Sequence, residues 1–320
     1  MLKKIIVILL VVLLVASILV GVGFSQSGKK DKQTERVRTM TVPISIFTKK
    51  ERKTDRAEEF IQAGDLKVEE DGDDQVILSI RSVTNTPLAL AILIQDDLTA
   101  ETNLKLQEIR KFIRSLPKGS RVMVAYLRTG TIQVRQKFTD DLEKAANSLR
   151  IVTGSSATAP SSPYQGVEEA LKRFDALPTG RRAVLLVSDG LDASNGIQNS
   201  TPTQSLDLDR AILRAQRKSV AVYSIYSPTS STTGGNSLLI LNGQGSLEKL
   251  SDETGGRAFF QGSIAPISFE PFFVDLTLAL NRQFALTYLS THIKKGYYKL
   301  KVSSTNPEVE IEHPRGYYFR

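Results

Sequence analysis

The 320-residue chain contains no cysteine, no tryptophan and only two histidines. Lack of cysteine excludes a disulfide framework, a zinc knuckle, a thiol nucleophile and the acylated cysteine of a lipoprotein. The histidines, His292 and His313, fall in strand-like sequence near the end of the chain and read as surface residues, not as catalytic bases. No Gly-x-Ser-x-Gly is present, so a nucleophile elbow is unsupported. Gly243-x-Gly245 lacks the third glycine of a dinucleotide loop, which is Glu248 here. The stretch reads as a loop, with Ser246 capping the helix that follows and Gly255-Gly256 ending it.

Charge of one sign is also missing from most of the chain. The formal net charge is +8, yet residues 1–56 hold 12 Lys/Arg against 4 Asp/Glu, and the remainder is balanced. A nucleic-acid partner would require the basic surface on the folded body, so none is expected. Lys3 and Lys4 instead flank the uncharged run Ile5–Phe24, which is long enough to span a bilayer. Gly23 and Ser25 offer small residues for cleavage. Residues 1–25 are thus a signal peptide or an N-terminal membrane anchor. Residues 26–39 form a basic linker suited to an anionic membrane surface. Either reading exports the rest to the periplasm, the cell envelope or the exterior.

Apolar residues make up 41% of the chain, enough for a sizeable core. Within 85–282 the runs LALAILI (88–94), VMVAYL (122–127), AVLLVS (183–188) and VAVYSIY (220–226) are almost continuously apolar. Such runs suit strands buried on both faces. Helical spacings separate them at 104–116, 140–150, 163–177, 206–218, 246–254 and 268–282. This alternation predicts a doubly wound α/β domain with a mostly parallel sheet. TIQVRQ (131–136), just after Thr129-Gly130, predicts an antiparallel edge strand. On either side, at 40–84 and 283–320, apolar and polar residues alternate. The expected strands there are 42–48, 66–70, 75–81, 284–289, 297–303 and 308–312. They predict a small β-rich accessory domain built from both chain ends. Asp71-Gly72 is a hairpin signal. The acids around it lack calcium-loop spacing and read as a solvated turn.

Open α/β sheets bind ligands at the carboxyl ends of their strands. Two strands here run into acids: LALAILI into Gln95-Asp96-Asp97-Leu98-Thr99, and AVLLVS into Asp189-Gly190-Leu191-Asp192. The hydroxyl-rich Ser155–Ser162 precedes the helix at 163–177. Carboxylates and hydroxyls on one rim suit a hard cation, although acids at helix starts also serve as caps.

RRAVLLVSDGLDAS resembles the third metal-loop region of von Willebrand factor A (vWA) domains. LKVEEDGDDQVILSI, TPLALAILIQDDLT, LEKLSDETGGRAFF and LNRQFALTYLSTHIKKGYYKLKV with the final RGYY are similar to the bacterial VWFA-related proteins abundant in Acidobacteria. The resemblance spans roughly residues 40–320. It implies a Rossmann-like domain with a metal-ion-dependent adhesion site. There an Asp-x-Ser-x-Ser loop, a Thr and a later Asp hold Mg²⁺ or Mn²⁺, and a partner's acidic side chain completes the coordination. Asp189 matches the later Asp, and Ser162 stands in for the Thr. In the first loop Gln95 takes the place of Asp, Asp97 that of the first Ser and Thr99 that of the second. The implied site, Asp97, Thr99, Ser162 and Asp189 with Gln95 and Asp96 beside it, is degenerate. Its cation is weak or absent.

The expected function is therefore an exported protein-binding or adhesion module, not an enzyme. The polar segments 151–162, 191–205 and 227–245 are its expected contact loops. The alternative is a metal-dependent hydrolase built on Asp96, Asp97, Asp189 and Asp192. Protease accessibility checks the location: the domain is expected to be digested in intact spheroplasts. Protection combined with an uncleaved N-terminus would contradict export.

Overall fold

A computed structural model describes residues 37–48, 66–83, 86–154, 161–178 and 180–319. The signal or anchor segment 1–25 and the linker up to residue 36 lie outside the described residues. Among those described, no helix is long and apolar enough to cross a membrane. Val37–Arg320 forms one compact unit.

Its centre is a six-stranded sheet. β4 (Leu88–Gln95), β7 (Arg181–Ser188) and β8 (Ala221–Tyr226) are the apolar runs of the sequence, and β4 and β8 are buried at every residue. With β5 (Arg121–Arg128), β6 (Thr131–Thr139) and β9 (Ala258–Phe259) the order is β6-β5-β4-β7-β8-β9. All pairs are parallel except β5–β6, so β6 is the antiparallel edge. The order is the 3-2-1-4-5-6 of a doubly wound sheet with its third strand turned antiparallel by a hairpin, and the switch point lies between β4 and β7.

Alternate residues of each strand face opposite layers. Leu90, Ile92 and Ile94 pack with α1 (Leu106–Ser115), α2 (Leu142–Asn147) and α7 (Glu270–Asn281). Ala89, Ala91 and Leu93 pack with α3 (Pro163–Lys172), α4 (Leu206–Arg217) and α6 (Ser237–Thr254). A single-turn helix, α5 (Ser230–Thr233), precedes α6. Each fully buried aliphatic side chain contributes roughly 1.5–3 kcal/mol, so both faces must be covered for the sheet to persist.

The expectation of a loop at 227–245 with Ser246 as a cap is overturned. α6 begins at Ser237, and its N-cap is Asn236, whose side chain accepts from the Leu239 N–H at 3.3 Å. Ser246 lies within the helix, buried. Two glycines and a serine lowered the helical signal, and a close tertiary approach, described below, explains one of the glycines.

The remaining strands are β1 (Arg38–Thr48), β2 (Leu66–Glu70), β3 (Asp73–Ser82), β10 (Gln283–Ser290), β11 (Gly296–Ser304), β12 (Val309–Glu312) and β13 (Gly316–Phe319). They form a seven-stranded antiparallel sheet ordered β12-β1-β10-β3-β2-β11-β13. The two chain ends interleave, because β10 lies between β1 and β3. Asp71 and Gly72 both have positive φ, as a two-residue type I′ hairpin between twisted strands requires. The Asp71 carboxylate accepts from the Lys299 N–H at 2.8 Å, and Asp74 pairs with Lys67, so the acidic cluster is held by structural partners.

A buried carboxylate organises this sheet. Glu70 is fully buried and accepts from Tyr288 (2.7 Å), Tyr317 (2.5 Å) and Ser290 (2.6 Å), with His292 Nδ1 at 3.0 Å. Burial and the adjacent carboxylate push both tyrosines well above the ordinary phenol range. His313 accepts from the Val302 N–H at Nε2, at 3.3 Å, and burial lowers its pKa. The reading of both histidines as surface residues is therefore corrected: they are part-buried structural partners. Both lie just past strand ends, His292 after Ser290 and His313 after Glu312, and alternation in sequence gave no sign that a buried acid lay beneath one of them.

A pair of strands without further partners is marginal in water. Deleting residues 284–320 removes β10 from between β1 and β3. Amide protection in 38–48 and 66–82 is then expected to collapse in hydrogen exchange, and unchanged protection there would contradict the shared sheet.

Candidate functional site

The carboxyl ends of β4 and β7 meet at the switch point, and their junction is polar and buried. Gln95 Oε1 accepts from Ser188 Oγ at 2.5 Å and from the Asp189 N–H at 3.2 Å. Ser188 Oγ in turn accepts from the Gly190 N–H at 3.0 Å. Gln95 thus ties the two strand ends together, and its oxygen is occupied by two donors.

Asp189 is 3% exposed. One carboxylate oxygen accepts from the Leu191 N–H (3.1 Å) and the other from Thr229 Oγ1 (2.7 Å). Burial pushes its pKa up to about 6, and the nearby charge of Asp97 adds to the effect, while its hydrogen bonds oppose it. A buried carboxylate with no cation beside it has this character. Thr229, which sequence reasoning missed, belongs to the segment after β8. That segment is joined to the β4 loop by the Thr99 N–H, which donates to Pro228 O at 2.9 Å, and by a Leu98–Thr229 bridge.

The close packing has a backbone cause. α6 crosses the turn at Asp189-Gly190 so tightly that a Cβ on Gly243 would lie 2.0 Å from the Asp189 carbonyl oxygen. A Cβ on Gly190 (φ +73°) would lie 2.2 Å from the Gly243 oxygen. Glycine costs a helix interior about 1 kcal/mol, and here it permits the contact.

The other expected residues divide into two groups. Asp97 and Thr99 are part-buried on the same rim, and the Thr99 hydroxyl holds the Glu101 carboxyl below its ordinary range. Ser162 precedes α3 but makes no capping hydrogen bond. It is 1% exposed, and its Oγ is without a partner among the described residues. Its neighbour Ser161 accepts from the Ala193 N–H at 2.8 Å, which sets this loop against the β7 loop. Asp96 and Asp192 face elsewhere. Asp96 pairs with Arg150 at 2.6 Å, with Arg128 at 3.7 Å, and Arg150 also stacks over the Tyr126 ring at 4.1 Å. Asp192 accepts from the Ser194 N–H (3.0 Å) and hydroxyl (2.6 Å) and from the hydroxyl of Ser205, the N-cap of α4. Sequence gave no sign of the Arg150 partnership, because 54 residues separate the pair.

A hard cation needs oxygens with lone pairs to spare. Gln95 has none left, and Asp96 is neutralised by arginine. Asp97, Thr99, Ser162 and Asp189 offer two carboxylates and two hydroxyls, a donor set that fits a cation only loosely. Among the described residues no three His, Cys, Asp or Glu side chains converge as metal ligands.

No protein-family model matches the chain, and no curated protein matches it. Several solved structures are similar to it. An aerotolerance-related membrane protein from Bacteroides fragilis shares 11% identity over 61% of this chain and 98% of its own, with a TM-score of 0.41. BatB from Bacteroides thetaiotaomicron shares 12% over 60% and 97%, with a TM-score of 0.42. A von Willebrand factor type A protein from Catenulispora acidiphila shares 12% over 82% and 75%, with a TM-score of 0.43. The vWA-related resemblance of the sequence thus has vWA structures among the chain's distant structural likenesses.

The raised pKa of Asp189 sets a pH dependence. An unfolded Asp releases its proton near pH 4, whereas folded Asp189 retains it to about 6. Stability is full below pH 4, falls as pH rises from about 4 to about 6, and stays lower above, by about 3 kcal/mol. Asp189→Asn keeps an acceptor for Leu191 and removes this loss. In urea denaturation the variant should be about 1–3 kcal/mol more stable than the parent at pH 7, with the parent's fall in stability between pH 4 and 6 reduced. An unchanged slope would show that Asp189 is not the titrating group.

Proposed function

We propose that the chain is an exported vWA-type protein-binding module whose binding face is the carboxyl rim of the six-stranded sheet. In this reading a degenerate metal-ion-dependent adhesion site lies at the rim's centre. The observation that carries it is the buried Asp189, desolvated and, among the described residues, paired with no base, within reach of the charge of Asp97; Ser162, whose hydroxyl has no partner among the described residues, lies in a loop that Ser161 joins to the loop after β7. Export rests on the apolar run 5–24 and its basic flank. Residues 1–25 either tether the domain to the membrane or are removed. The basic linker then contacts the membrane surface, and the balanced charge of residues 57–320 argues against a nucleic-acid partner for the folded body.

The altered first loop weakens the cation. Mg²⁺ demands near-ideal octahedral geometry, whereas Mn²⁺ stands higher in the affinity order for the same oxygen ligands. Hydrolysis is the second reading and finds less support. It needs Asp96 and Asp192 as well, and those are committed to Arg150 and to the hydroxyls of Ser194 and Ser205.

Thermal unfolding of the full chain tests the site, because a ligand that binds only the folded state raises its apparent stability. A small Mn²⁺-dependent rise is expected, weaker with Mg²⁺, reversed by chelator and absent in Asp189→Ala. No rise with any cation would retire the metal part of the reading. A tight Mg²⁺ response would show an intact site instead of a degenerate one.

A further inference from the structure

The carboxyl rim of the six-stranded sheet carries exposed apolar side chains. Leu104 lies in the short 3₁₀ segment after β4. Ile151 lies in a stretch whose Val152 N–H donates to Asn103 Oδ1 (2.8 Å) and whose Thr153 N–H donates to Asp96 O (3.0 Å). Leu206 opens α4, and Leu238 and Leu241 lie on the first turns of α6. Ile264 follows β9 in a loop held to α6 by Gln244, which donates to Gly262 O at 2.6 Å. All six are 63–73% exposed, and they come from five separate segments next to the carboxyl ends of β4, β7, β8 and β9. Isolated exposed leucines are ordinary, whereas a convergent set rimmed by polar groups marks an interaction surface.

The same rim is acidic at its centre. Asp96, Asp97 and Glu101 follow β4, and Asp189 and Asp192 follow β7; Asp96, Asp189 and Asp192 are buried, Asp97 is half-buried and Glu101 is exposed. The bases near them are already engaged or withdrawn: Arg128 and Arg150 face Asp96, and Lys105 is buried. Among the described residues Asp97 has no salt-bridge partner, and its charge is felt by the buried Asp189.

We infer that the partner is a protein segment presenting a lysine or arginine from within an apolar face. The cation meets Asp97, and the apolar groups cover Leu104, Ile151, Leu238 and Leu241. This deepens the reading of the rim as the binding face and rests on it, but it assigns the partner the charge opposite to that of a metal-bridged acidic ligand. A basic side chain meets a carboxylate directly, with no ion between them. That suits a loop in which glutamine stands where the metal site requires aspartate. The contact gains strength from the apolar surround, which excludes water from the pair once the partner is seated.

The test uses the full chain in mild detergent and two labelled amphipathic peptides, one of leucine and lysine, the other of leucine and glutamate. Fluorescence anisotropy is expected to show binding of the leucine–lysine peptide alone, unaffected by chelator and weakened by salt. Asp97→Asn, and separately Leu238→Ser with Leu241→Ser, should each weaken it about tenfold. Val76→Ser, exposed on the seven-stranded sheet away from the rim, should leave it unchanged. Equal binding by all variants would overturn the inference. Mn²⁺-dependent binding of the leucine–glutamate peptide, lost in Asp189→Ala, would overturn it while upholding the metal-bridged adhesion site. Failure of both peptides to bind a normally folded chain would sink both readings. A concentration-dependent dimer abolished by the leucine variants would overturn it in favour of a second copy of the chain.

Discussion

The pairing of β4 with β7 constrains everything else in the α/β body. Over the five pairs from Leu90↔Ala183 to Ile94↔Val187 neither strand has a polar side chain. Such strands must be roofed by helices on both faces, and the two helical layers then leave only the strand ends open to solvent. Polar chemistry is confined to those ends. The parallel register brings Gln95 level with Ser188 and Asp189, so one side-chain amide joins the two strand termini.

That junction explains why the site has the character it does. Gln95 spends its oxygen on holding Ser188 and Asp189, a structural task that a charged side chain in its place would perform at a higher desolvation cost. Asp189 is left as a buried acid with good hydrogen bonds and no counter-ion. Gly190 and Gly243 let α6 close over it. Asp96 and Asp192, equally acidic in sequence, are drawn into an ion pair and a hydroxyl network that shape the surrounding loops. Among the described residues, Asp97 and Asp189 pair with no base.

The seven-stranded sheet solves a different problem. Its strands come from both ends of the chain, and β10 holds β1 and β3 together. A buried Glu70 surrounded by three hydroxyls and an imidazole fixes the strands around it. Breaking one of these contacts leaves part of a buried charge unsatisfied, a loss larger than that of an average surface hydrogen bond. The network commits its members to structure, including one of the two histidines.

Periodicity and turn chemistry are local properties, and the sequence by itself determined what they control. The doubly buried runs showed the parallel sheet, alternation showed the flanking strands, and Asp71-Gly72 and Thr129-Gly130 showed the hairpins, because each depends on neighbours a few residues apart. The acids and hydroxyls at the ends of β4 and β7 were legible for the same reason, since a strand's end is visible where its apolar run stops. What each acid does was not legible. The Asp96–Arg150 pair, the Thr229 contact to Asp189 and the four partners of Glu70 join residues tens to hundreds of positions apart. Helix α6 was misread over its first half, because glycine there answers to a backbone 54 residues earlier and not to helical propensity. Hydrogen bonding, ion pairing and close approach act through space, so tertiary structure alone decided which acids found partners and which apolar side chains stayed exposed at the rim.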